Sequence, residues 1–195
     1  MKKLLIRLWA VSLIAATILF GNGNSQLPKG WFSSGNKPLE YEMGIDKTIS
    51  QSGKSSAYIK SKSPKPNDFG TLAQITSAEN YIGKRLKLSG YIKSDSVAGW
   101  CGMWMRIDGE NKQVLGFDNM KDRAIKGTTD WNKYEIVLDV PSGSKAIGYG
   151  VLLTGKGKIW FDNMKIEEVD KSVPVTNTNK ENSYPKDPVN LDFEE

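Results

Sequence analysis

Between Glu40 and Glu167 apolar side chains recur at every second position in short runs, and no stretch of a dozen residues repeats on a helical period. Leu86, Leu88 and Ile92 share one parity, as do Tyr134, Ile136, Leu138 and Val140, with Lys133, Glu135 and Asp139 opposite. A third row, Tyr149, Val151 and Leu153, is opposed by Gly148, Gly150 and Leu152. Period-2 alternation sends one set to a core and the other to solvent, so these are half-buried antiparallel strands. A parallel α/β fold needs crossover helices that this chain does not supply.

Turn residues divide the chain into candidate strands at Glu40–Ile45, Ser55–Lys60, Gly70–Thr76, Arg85–Ser94, Gly99–Asp108, Gln113–Asn119, Trp131–Val140, Lys145–Leu153 and Lys158–Glu167. Only Ser77–Ile82 invites a helical turn, and Gln26–Pro38 reads as loop, although its Trp31 and Phe32 need something to dock on. This spacing predicts an all-β, two-sheet antiparallel β-sandwich.

The 195 residues, 38% of them hydrophobic, suffice for one core. Lys2, Lys3 and Arg7 precede an uncharged apolar run from Leu8 to Phe20, followed by Gly21-Asn22-Gly23, the layout of a secretory signal. Residues 1–23 are therefore expected to be a signal peptide or N-terminal anchor, 24–30 a linker and 31–170 the β-sandwich domain. From 171 to 189 the composition predicts a flexible linker, and 190–195 a returning strand or truncated repeat. The expected location is secreted or extracytoplasmic, with membrane contact only through an uncleaved N-terminus.

Without the first 23 residues, 24 basic residues face 22 acidic ones, and no basic tract remains to suggest nucleic acid as a partner. The chain has no histidine, so no Ser/His/Asp or Cys/His triad can form. Its one cysteine, Cys101, falls in an apolar set and reads as a small hydrophobe. Carboxylate chemistry and oxygen-ligated calcium survive these exclusions, but acid pairs such as Asp108/Glu110 and Asp118/Asp122 read as solvated turn residues, so no enzyme is expected.

Gly150 to Lys156 carries the letters of a phosphate loop up to Gly157, which replaces the Ser or Thr that would ligate magnesium; the stretch reads as a β-hairpin instead. Phe-Asp-Asn-Met occurs at 117–120 and again at 161–164, which suggests two related strands or two corners closed by Asx side chains. Asp162 is the candidate for a structural calcium; no other cofactor is expected.

The stretch from Gly99 to Asp108 carries the strongest functional pattern. Cys101, Met103, Met105 and Ile107 make an apolar set, while Trp100, Trp104, Arg106 and Asp108 take the opposite face. Flat aromatics beside hydrogen-bonding ions suit stacking against sugar-ring C–H groups. Trp100, Trp104, Arg106 and Trp131 are the expected contacts, with Tyr41 and Asp108 as outer ones. The bland alternative is that the tryptophans cover a sheet edge and Arg106 pairs with an acid.

Gly30-Trp31-Phe32, Tyr41 to Asp46, Ser56 to Ser61, Gly83 to Leu86, Trp100 to Arg106, Phe117 to Met120 and Lys126 to Trp131 occur in order. Together they resemble a bacterial domain of poorly known function, found secreted or appended to AraC-type transcriptional regulators. The resemblance implies a galactose-binding-like jelly roll. That family's opening Asn-Leu-x-Phe-Glu strand is absent before Gly30 and is matched instead by Asn190 to Glu194. No DNA-binding helix pair exists in this chain, so regulator activity does not transfer. The expectation is an exported, non-catalytic binding module for carbohydrate or a cell-wall polymer. The alternative is a structural or sensory domain that contacts a surface protein without sugar binding.

Overall fold

The computed structural model describes residues 26–66 and 68–176. The expectations for residues 1–23 and 190–195 lie outside them. Among the described residues nine strands form: β1 (Phe32–Ser34), β2 (Tyr41–Asp46), β3 (Ser56–Ser61), β4 (Phe69–Ser77), β5 (Arg85–Asp108), β6 (Val114–Asp118), β7 (Ile125–Asp139), β8 (Ala146–Thr154) and β9 (Lys158–Val169). All pair antiparallel, in the order β1-β4-β8-β5-β9-β3-β2, with β6 and β7 also on β5. The fold is the expected all-β sandwich. The helical turn is a single 3-10 turn at Glu79–Tyr81.

The long strand β5 joins the two layers. Its first half pairs with β9 and β7, and its second half, from Trp100, pairs with β8 and β6. Between them the register against β7 slips three times, and Ser96 adopts φ 52°. Such irregularities bend a strand and shift its side-chain parity. The inward set accordingly passes from Leu86, Leu88 and Ile92 to Cys101, Met103, Met105 and Ile107, all fully buried. The sequence pattern therefore separates into two strands what the structure builds as one.

The first layer is β2-β3-β9-β5-β7 and the second β1-β4-β8-β5-β6. Leu72, Val151, Ile59, Phe161 and Leu138 meet the β5 residues in one core. Each fully buried Leu, Ile or Met contributes roughly 2 kcal/mol.

Two connections differ from their sequence reading. Gly155–Gly157 is an arch rather than a hairpin turn, because β8 and β9 flank β5 in different layers and do not pair with each other. The arch lies against the bend of β5: Ala98 N donates to Lys156 O at 2.8 Å, and a Cβ on Gly157 would stand 2.8 Å from Val97 Cα. With φ of 76° at Gly155 and 145° at Gly157, the backbone there favours glycine twice over. Phe32–Ser34, read as loop, pairs with β4, while Trp31 packs edge-on to Tyr149 at 6.1 Å and tilted on Phe161 at 5.7 Å.

The polar stretch expected to be a linker from 171 lies along β7 as far as 176. Arg85 clamps it, donating from Nη1 to the carbonyls of Lys171 and Val173, both at 2.6 Å, while its other nitrogens hold Asp139. Thr176 N then donates to Val137 O at 2.9 Å, and Val137 N to Thr176 Oγ1 at 2.9 Å.

Candidate functional site

The outward set of the second half of β5 lies in the middle of its layer, with β8 and β4 on one side and β6 on the other. Antiparallel partners share a face, so the register builds rows across the layer. One row runs Phe32, Ala73, Gly150, Trp104; the next runs Ile75, Gly148, Arg106, Phe117.

Trp104 dominates this face. Its indole lies across β8 above two glycines: a Cβ on Gly148 would stand 3.3 Å from the indole Cζ3, and one on Gly150 would stand 3.1 Å from Nε1. The ring reaches β4, where Nε1 donates to Thr71 Oγ1 at 2.8 Å. Thr71, itself buried, donates its hydroxyl to Val151 O at 2.7 Å. One edge of the ring is thus tied down, and the ring as a whole stays only partly buried. Beside it stands Ile75, 61% exposed on a strand interior.

Arg106 and Asp108 neutralise one another. Nη2 donates to Asp108 Oδ2 at 2.9 Å, while Nε lies 2.7 Å from Oδ1, an ion-pair contact too bent for a directed hydrogen bond. Both side chains are partly exposed, at 24% and 18%. Arg106 Nη1 has no hydrogen-bond partner among the described residues, so a donor remains on the same face, two residues along β5 from Trp104.

The other expected residues fall elsewhere. Trp100 shares the parity of Trp104, but the Asn119–Met120 corner arches over Gly102 between them, with Met120 Cβ 3.1 Å from where a glycine Cβ would be. Trp131 lies on β7 beside the first half of β5, in the other layer. Tyr41 is only 4% exposed: its hydroxyl donates to Asp68 O at 2.5 Å, closing β2 onto the start of β4, and burial pushes its pKa up to about 12. It is a core strut and presents no contact surface.

Of the two Phe-Asp-Asn-Met segments, 117–120 is the expected corner, at the end of β6, whereas 161–164 lies inside β9 as a bulge, where the register against β5 shifts. Asp118 Oδ1 accepts from Met120 N at 2.8 Å and Asp162 Oδ1 from Asn163 N at 2.7 Å, with positive φ at Met120 and Asn163. Asp118 is not a solvated turn acid; it is 0% exposed and holds Arg123 Nη2 at 2.6 Å. Asp162 Oδ2 accepts from Gln51 N at 3.0 Å and Ser52 N at 3.2 Å, fastening the β2–β3 loop. A shell of N–H donors does not suit a calcium ion. Among the described residues no group of three or more His, Cys, Asp or Glu is placed to hold a metal.

The first layer also carries aromatics outward, in a different state. Tyr58 and Trp160 are register partners, exposed 9% and 6%. Lys158 Nζ caps both rings, 4.8 Å and 4.3 Å from their centroids, and contacts Asp46 at 3.2 Å. Trp160 Nε1 donates to the same carboxylate at 2.8 Å. Burial alone would raise the Asp46 pKa, but hydrogen bonds from Thr48, Trp160 and Lys158 outweigh it and hold the carboxyl well below its usual range.

Thr71, Gly148 and Gly150 are the site residues that the sequence reading missed. The glycine alternation in β8 is visible in the sequence, but only the register shows whose ring it accommodates.

No protein-family model matches the chain. It is 48% identical over 168 residues to the uncharacterized HTH-type transcriptional regulator YbfP of Bacillus subtilis, a match covering 86% of this chain and 57% of that protein. It is 27% identical over 177 residues to the tRNA nuclease WapA of Bacillus subtilis, covering 85% of this chain and 8% of WapA. The chain therefore spans little more than half of one relative and a small part of the other. Among solved structures, the CBM22-1 xylan-binding domain of Paenibacillus barcinonensis Xyn10C superposes with a TM-score of 0.54 at 16% identity, covering 73% of this chain and 88% of that one. The enzymatically active domain of bacteriophage CBA120 tailspike protein 4 gives 0.56 at 14% identity, covering 72% of this chain and 20% of that one. At these identities the likeness is one of fold: a jelly-roll sandwich of the kind carbohydrate-binding modules use.

Proposed function

We propose that the chain is a non-catalytic carbohydrate-binding module whose contact surface is the Trp104 face of the second layer. The observation that carries this reading is the indole of Trp104, set over two glycines and only partly buried, with its N–H already satisfied by Thr71. A sugar ring stacks its C–H face on such a surface, and Arg106 Nη1 donates to a hydroxyl at its edge. Because Arg106 and Asp108 cancel, the face suits a neutral glycan. Trp100 lies beyond the Asn119–Met120 corner as a separate outer contact. The fold likeness to xylan-binding modules supports the same class of ligand, and the relatives, a regulator and a nuclease, support a portable module. The basic, apolar and small-residue order of residues 1–23 supports export.

The exposed side chain of Ile75 favours a second reading, in which this face meets a surface protein. A glycan array separates the two. Binding to a neutral polysaccharide, lost in Trp104→Ala while melting stays cooperative, supports the module. An array without a hit, from protein that melts cooperatively, contradicts it and leaves the protein partner.

A further inference from the structure

We infer that Thr71, a buried residue, is the positioning residue that sets the pose of the Trp104 indole and through it the affinity of this face. The inference rests on the reading of that face as a glycan platform, but its geometric half stands without it.

Trp104 is on β5 and Thr71 on β4, with β8 between them, so the 2.8 Å hydrogen bond spans a whole strand. An indole attached by two rotatable bonds can lie flat or stand upright on a sheet. A ring held in one pose offers a ready stacking face, and two local features hold this one. At the pyrrole end the N–H is received by Thr71 Oγ1, whose own proton is committed to Val151 O at 2.7 Å, so the hydroxyl is fixed as an acceptor toward the ring. At the benzo end Gly148 gives the ring room: a Cβ there would stand 3.3 Å from Cζ3, close enough to push the ring by a few tenths of an ångström. A ligand-binding side chain held in this way loses little freedom on binding.

Thr71 is 3% exposed, so it does not touch a ligand. A valine there keeps the shape and removes the acceptor; a serine keeps the acceptor. Gly148→Ala approaches the same ring from the opposite end, and its Cβ would meet only the indole and, at 3.9 Å, the side chain of Ile75.

The test reads two quantities on the full chain: the hydrogen-exchange rate of the Trp104 indole N–H by NMR, and the affinity for soluble xylo-oligosaccharides and neutral β-glucans. Expected is a slow indole N–H in the native protein and in Thr71→Ser, with exchange at least about tenfold faster in Thr71→Val. The affinity should fall at least about fivefold in Thr71→Val and in Gly148→Ala, and be kept in Thr71→Ser. An indole N–H that stays slow in Thr71→Val overturns the geometric claim. A fast indole N–H with unchanged affinity overturns the role in binding. If the native protein takes up none of these glycans, the platform reading fails and the exchange rates alone decide whether Thr71 holds the ring.

Discussion

The two outer faces of the sandwich each carry a central tryptophan, and the pair differs in what the neighbours do with it. Trp160 gives its N–H to a carboxylate, is roofed by the Lys158 ammonium and is 6% exposed. Trp104 gives its N–H to a neutral hydroxyl and stays partly exposed, with no cation above it among the described residues. The first arrangement uses the indole as covering for a sheet; the second leaves it as a surface. Whether a tryptophan on a strand is covered or left as surface therefore depends on the side chains that neighbouring strands bring to it.

The largest expected effect separates the faces. Trp160→Ala should cost roughly 3–5 kcal/mol in urea unfolding, the range for removing a buried aromatic, and leave glycan affinity intact in the protein that remains folded. Trp104→Ala should cost less than half as much and weaken binding at least about thirtyfold. Equal stability losses would erase the distinction.

Next in size is Asp46→Asn, expected to cost about 2 kcal/mol at neutral pH, because an amide cannot serve Thr48, Trp160 and Lys158 together. The folded-state pKa of Asp46 is depressed, so its contribution is present above the unfolded value of ~4 and is lost as pH falls toward the folded one. The gap between native protein and variant should therefore narrow below about pH 4 in thermal melts; a constant gap would mean that the carboxylate charge is not what matters.

Lys158→Met should cost about 0.5–1 kcal/mol, the scale of a cation–π contact, and leave binding unchanged. The smallest expected effect is that of salt on the Trp104 face: with Arg106 and Asp108 paired, raising salt from ~0.05 to ~0.5 M should change affinity less than about twofold. A steep dependence would point to an anionic ligand.

The sequence showed the layers more readily than the site. Alternation in β5, β7 and β8 located the core because burial obeys a local period, and it placed Trp100, Trp104, Arg106 and Asp108 on one face. It divided β5 at its bend because the parity slips there. It assigned Gly155–Gly157 to a hairpin because local turn chemistry does not reveal which strand intervenes. Tyr41 and Trp131 went astray for the same reason: whether an aromatic closes a core, edges the other layer or faces a ligand depends on partners distant in sequence. Thr71, 33 residues from Trp104, has no local signature at all.

The central claim is tested most directly by calorimetric titration of native protein and Trp104→Ala with soluble xylo-oligosaccharides and neutral β-glucans. The prediction is saturable binding of at least one neutral glycan by the native protein, weakened at least about thirtyfold in the variant while its melting remains cooperative. Equal affinity in the two proteins, or no uptake of any neutral glycan by the folded native chain, would contradict it.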